Sequence, residues 1–184
     1  MNHPSNEMYD TNLPDPVSRR QFLKTAALGT LGALILQQKA HASSLGSSQR
    51  VLTILGAVDI AQALADGDIT NNIYWTDNNR LFGSRNEGTN SLISSVNKGD
   101  VLNWVVIGLE VETMVSIHSF EGTIIPIASP APDPTSPFGA WKGVVNTDLR
   151  YTYPYTVNLL VEDIVMPMTT SLALQRMPTA QKNN

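Results

Sequence analysis

The chain has 184 residues, 12 Lys plus Arg against 16 Asp plus Glu, a formal net charge of -4 and no Cys. That length fits one domain, and the lack of thiols excludes disulfides, iron–sulfur clusters, thiolate zinc or copper centres and a Cys nucleophile. The acidic balance, with no basic block, argues against nucleic acid as a partner, because such binding rests on Lys and Arg neutralising phosphates.

Residues 18 to 24 read Ser-Arg-Arg-Gln-Phe-Leu-Lys, and an apolar run rich in Ala, Leu and Gly follows from Thr25 to Leu36. Paired Arg19 and Arg20, Phe22 at the expected offset, the apolar run and then Ala40-His41-Ala42 stand in the order of a twin-arginine export signal with a small-x-small cleavage site. The run is well short of the roughly 20 residues that cross a bilayer, so 1–42 reads as a cleaved signal and not as a membrane span. The expected location is the periplasm or beyond it. Cleavage after Ala42 removes four basic and three acidic side chains, leaving 8 basic against 13 acidic, a net charge near -5. His3 and His41 leave with the signal. His118 is then the single imidazole of the mature chain, so any site with two His ligands is excluded.

Val51 to Ala57 is a continuous apolar run, short enough for a buried strand. Asp59 to Ala65 places apolar residues at 60, 61, 64 and 65, which predicts a two-turn helix closed by Asp66-Gly67-Asp68. Ile73-Tyr74-Trp75-Thr76 predicts a strand ending in an Asp77-Asn78-Asn79 turn, since Asx side chains bond their own backbone. Thr89–Val96, the turn Asn97-Lys98-Gly99-Asp100 and Val101–Gly108 predict a hairpin, and Met114–Phe120 with Thr123–Ile127 a second. Pro130, Pro132, Pro134 and Pro137 make 128–139 a surface loop, since each removes a backbone donor. Trp141–Asn146, Thr152–Val161 and Thr169–Gln175 supply three more strands, with Pro154 pushing its strand toward an edge or bulge. The pattern predicts an all-β fold, a two-sheet antiparallel β-sandwich with one short N-terminal helix, a closed barrel being the alternative. The domain spans 43–176, followed by a polar tail over 177–184.

Three blocks carry a resemblance. They are Asn72-Ile73-Tyr74-Trp75-Thr76-Asp77-Asn78-Asn79, then Gly83-Ser84-Arg85-Asn86-Glu87-Gly88-Thr89-Asn90-Ser91-Leu92, then Gly99-Asp100-Val101-Leu102-Asn103-Trp104. With the opening Val-Leu-Thr-Ile-Leu strand, Trp141-x-Gly143 and the Tyr-rich strand from Tyr151, the chain resembles the PixA/AidA-like inclusion-body protein family over roughly residues 50–165. The last strand departs from it, with Thr169-Thr170-Ser171-Leu172-Ala173-Leu174-Gln175 where members tend to end in an aromatic-Trp-Asp-Pro segment, and an export signal is an unusual addition. The resemblance implies a non-enzymatic β-sandwich, associated in the family with intracellular inclusions or quorum-regulated expression, and it carries no established catalytic residues; no cofactor is expected.

Asp77, Asn78, Asn79, Arg80, Asn86, Glu87 and Asn90 concentrate carboxylate and amide groups in two neighbouring loops, with Trp75 and Phe82 beside them. Oxygen donors of this kind suit Ca²⁺ or sugar hydroxyls, and a flat aromatic face suits a sugar ring. Turn chemistry explains the same residue types without a ligand. Glu110 and Glu112 would share one side of an extended segment, as a glycosidase acid and base require, or be solvated charges at a hairpin tip. His118, on an alternating strand, reads as a half-buried structural residue. Trp104, Trp141 and the stripe Tyr151, Tyr153, Tyr155 read as core aromatics. No Gly-x-Ser-x-Gly elbow or phosphate loop is present. The leading expectation is an exported, self-associating or ligand-binding β-sandwich. A carbohydrate-binding, lectin-like module with a glycan partner stands second, and a small glycoside hydrolase third.

Overall fold

An apolar run of eight residues makes β1 (Val51–Val58), and Asp59 then caps α1 (Ile60–Asp66), its carboxylate accepting from the Gln62 N–H at 3.0 Å. A 3-10 turn at Thr70–Asn72 leads into β2 (Ile73–Asp77), and a second at Arg80–Phe82 precedes β3 (Ile93–Val96) and β4 (Val101–Gly108). Then come β5 (Val115–Gly122), α2 (Ile124–Ala128), β6 (Ala131–Pro132), β7 (Trp141–Val144), β8 (Tyr153–Val161), β9 (Ile164–Pro167) and β10 (Leu172–Arg176). The structure is a computed structural model that describes residues 49–110, 112–136 and 139–178. The signal read over 1–42, with Arg19, Arg20 and Phe22, and the tail from residue 179 lie outside the described residues. No described helix is long and apolar enough to cross a membrane.

The strands form a sandwich of two sheets, one ordered β2-β1-β4-β7-β6 and the other β3-β10-β8-β5 with β9 also on β8. Both sheets are mixed, where the sequence predicted antiparallel ones: β1 pairs β4 in parallel (Val51 opposite Val101 to Val58 opposite Gly108), and β3 pairs β10 in parallel. The cause is the turn at 97–100. It does not fold β4 back onto β3 as a hairpin but carries the chain from one sheet to the other. Gly99 N–H donates to Val145 O at 2.7 Å, and Val145 N–H to Asp100 O at 2.9 Å.

The second predicted hairpin is also replaced. Ile124–Ala128 is helical, and its buried residues Ile124, Ile127 and Ala128 sit at i, i+3 and i+4, one face of a helix. Pro126 fits there because the first helical turn has no use for its missing N–H. β5 pairs β8 instead, with a bulge between Ile117 and Ser119. The extra residue turns both Ile117 and Phe120 inward and leaves His118 exposed, against the predicted simple alternation and half-buried His. β9 was not expected. Pro154 lies near the start of β8, a central strand rather than an edge, and its carbonyl accepts from Thr123 just past the end of the β5 ladder.

Inward rows from the two sheets make one core. Leu52, Ile54 and Val58 of β1 and Leu102, Trp104 and Val106 of β4 face Tyr155, Val157, Leu159 and Val161 of β8. At its centre Trp104 and Phe120 lie 4.9 Å apart, Phe120 and Trp141 5.3 Å, and Tyr155 meets Trp104 edge-on at 6.3 Å. Each such aromatic pair adds about 0.5–1.5 kcal/mol beyond area burial. The indole N–H of Trp104 donates to the Tyr155 hydroxyl at 3.1 Å, and that of Trp141 to Ile117 O at 3.1 Å. Tyr155 and the partly buried Tyr153 thus join the predicted aromatic core, while Tyr151 is exposed.

Candidate functional site

The two polar loops predicted from sequence do meet, at the rim where β2 ends. Because Ile73, Trp75 and Asp77 alternate inward along β2, all three are buried. Trp75 is 0% exposed; a Cβ on Gly56 of the neighbouring β1 would lie 2.9 Å from its ring, so the indole fills the space that glycine leaves. It therefore presents no face to a sugar. Asp77 is 6% exposed, and its Oδ1 accepts from the Asn79 N–H at 2.8 Å, closing the predicted Asx turn.

The next two side chains tie elements together. Asn78 prolongs the ladder beyond β2: its Oδ1 accepts from the Thr53 N–H at 3.1 Å, and its Nδ2 donates to Val51 O at 3.3 Å. Asn79 reaches the other sheet, with Nδ2 donating to Ser95 O and Oδ1 accepting from Arg50 Nη1 at 3.3 Å. Arg50 is the hub that sequence reasoning missed. It grips Asp100 through two bonds, of 3.2 Å from Nε and 2.6 Å from Nη2, and lies 5.8 Å from the centre of the Phe82 ring. The available signal was a lone Arg directly before an apolar strand, with Asp100 at the head of a second.

The second loop lies along β2. Trp75 N–H donates to Thr89 O at 2.9 Å and Gly88 N–H to Trp75 O at 2.7 Å, a bulge in which Gly88 takes a φ of 73°. This brings Glu87 to the rim, where its Oε2 is 3.5 Å from Arg80 Nε. Burial, the Asp77 charge nearby and the opposing pull of Arg80 leave the Glu87 carboxyl above its ordinary range. Asn86 (Nδ2 to Ser91 O, 3.3 Å) and Asn90 (Nδ2 to Thr70 O, 3.0 Å) hold the loop's own backbone and that of the 3-10 turn. Leu81 and Phe82 project from the Arg80–Phe82 turn, 88% and 55% exposed.

The structure gives Glu110 a task unlike either expectation, the solvated hairpin-tip charge or the glycosidase acid or base. Its Oε2 accepts from the Ile60 N–H at 2.9 Å and its Oε1 from the Ala61 N–H at 3.3 Å, so it caps α1 across 50 residues of chain. Glu112 is exposed and forms no such pair with it. Among the described residues no three His, Asp or Glu groups come together as a metal centre would need.

Residues 50–166 match a family described as a domain of unknown function, DUF8788. The chain belongs to that family. The matched region opens at Arg50, the residue that joins β1 to the rim loops. No curated protein matches. Among solved structures, the chain is similar to the inclusion body protein PixA of Burkholderia cenocepacia, at 11% identity and a TM-score of 0.51, over 74% of this chain and 100% of that one. The fold anticipated from the three sequence blocks is therefore shared with PixA.

Proposed function

We propose that this DUF8788 chain is exported through the twin-arginine route and acts, without catalysing a reaction, as a self-associating β-sandwich. The observation that carries the association is an apolar groove between α1 and β9, lined by Leu64, Ile69, Ile164, Val165, Met166 and Pro167. Leu64, Ile164 and Val165 are exposed there, and among the described residues β9 has β8 as its single ladder partner. A second copy laying its own β9 along this edge would satisfy the open backbone groups and cover the three side chains. The likeness of fold to an inclusion body protein supports the same reading.

Export rests on the Arg19-Arg20 motif with Phe22 and the Ala40-His41-Ala42 site. Replacing both arginines, Arg19→Lys with Arg20→Lys, is expected to hold the precursor in the cytoplasm with its fold unchanged, read by fractionation. A double variant still trimmed near Ala42 and found in the periplasm removes the export half of the reading. For association, sedimentation of the mature chain over a concentration series is expected to show growth of a dimer or larger species.

A further inference from the structure

We propose that Asp77 and Glu87 share a single proton, and that this proton latches the rim loop over 77–90 to the end of β2. Each carboxylate has one oxygen engaged: Asp77 Oδ1 by the Asn79 N–H at 2.8 Å, and Glu87 Oε2 by Arg80 Nε at 3.5 Å. The other two, Asp77 Oδ2 and Glu87 Oε1, are buried without a hydrogen-bond partner, and Asp77 is more than nine-tenths buried. A buried, unpaired, charged oxygen is costly, and two of them within electrostatic reach are costlier. One proton resolves both: Glu87 Oε1 carries it and donates to Asp77 Oδ2, leaving one negative charge opposite the Arg80 guanidinium.

Among the described residues, the charged side chains around the pair are engaged elsewhere or already counted. From the 3-10 turn, Arg80 is already on Glu87 Oε2. From the start of β1, Arg50 is committed to Asp100 and Asn79. In the loop, Arg85 bonds Gln175 Oε1 at 2.6 Å. From β8, the Tyr155 hydroxyl feels the Asp77 charge and accepts from Trp104. On β2 itself the buried indole N–H of Trp75 has no acceptor. Among the described residues no third acidic or His side chain groups with the two carboxylates.

The sign of the pH dependence follows. Glu87 sits above its ordinary value of 4.5 in the folded chain, so it binds its proton more tightly there than unfolded. The latch is fully present below the unfolded value and is lost as pH rises through the folded one. Above that point two charges oppose each other at the base of the loop that carries Leu81 and Phe82. One proton is released per opening, so the open population grows up to about tenfold per pH unit.

The test is a carboxyl carbon NMR titration of the mature chain, with thermal melts across the same pH series. The Glu87 resonance, assigned by its loss in Glu87→Gln, is expected to titrate above the ordinary Glu range. In Asp77→Asn it is expected to move back toward that range. Glu87→Gln keeps a donor toward Asp77 without a titrating group, so the fall in melting temperature expected of wild type toward neutral pH should flatten in this variant. Glu87 titrating in the ordinary range, or the two proteins melting with the same pH dependence, overturns the proposal. So does calcium that raises the melting temperature of wild type but not of Glu87→Gln, which would make the pair a cation site instead.

Discussion

Glu110→Ala separates a structural carboxylate from a catalytic one. The side chain fills two of the N–H groups that the first turn of α1 leaves without intrahelical partners, Ile60 at 2.9 Å and Ala61 at 3.3 Å, while Asp59 takes the third, Gln62. Losing two bonds to an ionised acceptor at a helix N-terminus costs about 1–2 kcal/mol, the scale of a lost N-cap with its dipole interaction. In a domain of this size that lowers the melting temperature by roughly 3–8 °C. The assay is urea or thermal unfolding of the mature chain followed by circular dichroism, with Glu112→Ala as the reference because Glu112 is exposed. Glu112→Ala is expected within about 0.5 kcal/mol of wild type. Equal stability for the two variants would refute the capping role and reopen the carboxylate pair.

Asp100→Ala strands the Arg50 guanidinium at the junction of both sheets and is expected to cost about 2–3 kcal/mol by chemical denaturation; Lys98→Ala in the same exposed turn should change little. Trp104→Phe removes the donor to the Tyr155 hydroxyl and opens a void beside Phe120, for an expected loss of about 2–4 kcal/mol in the same assay. Burial holds the Tyr155 phenol well above the ordinary tyrosine range, so alkaline absorbance titration should show one tyrosine ionising only as the fold is lost. Asp133 is held down at about 2, first by its hydrogen bond to Lys142; in Lys142→Met its titration should return toward the ordinary Asp range.

Much of the sandwich was legible because its strands are separated by strong turn chemistry. Gly67 ends α1 where Asp66-Gly67-Asp68 predicted, and β1, β2, β4 and β8 fall on the expected runs. What local pattern could not carry was the choice of partner. Asn97-Lys98-Gly99-Asp100 is a good tight turn whether it returns a strand along its neighbour or hands it to the opposite sheet, and only packing decides. The run Thr123–Ile127 is β-branched, yet the spacing of Ile124, Ile127 and Ala128 about Pro126 was a helical signal outweighed by propensity. At the rim the Asx turn of Asp77-Asn78-Asn79 was legible from its residue types. Inward alternation of Trp75 and Asp77 then buried both, a consequence of strand period that an isolated motif does not display.

The central claim is association through the α1–β9 groove, and sedimentation velocity on mature wild type beside the double variant Ile164→Lys, Val165→Lys tests it most directly. Both residues are exposed on β9, so charge placed there should leave folding intact while blocking edge pairing. The account predicts that wild type grows into dimers or larger species with rising concentration, whereas the double variant stays monomeric with an unchanged melting temperature. A wild type that remains monomeric throughout, or a double variant that associates just as wild type does, would contradict it.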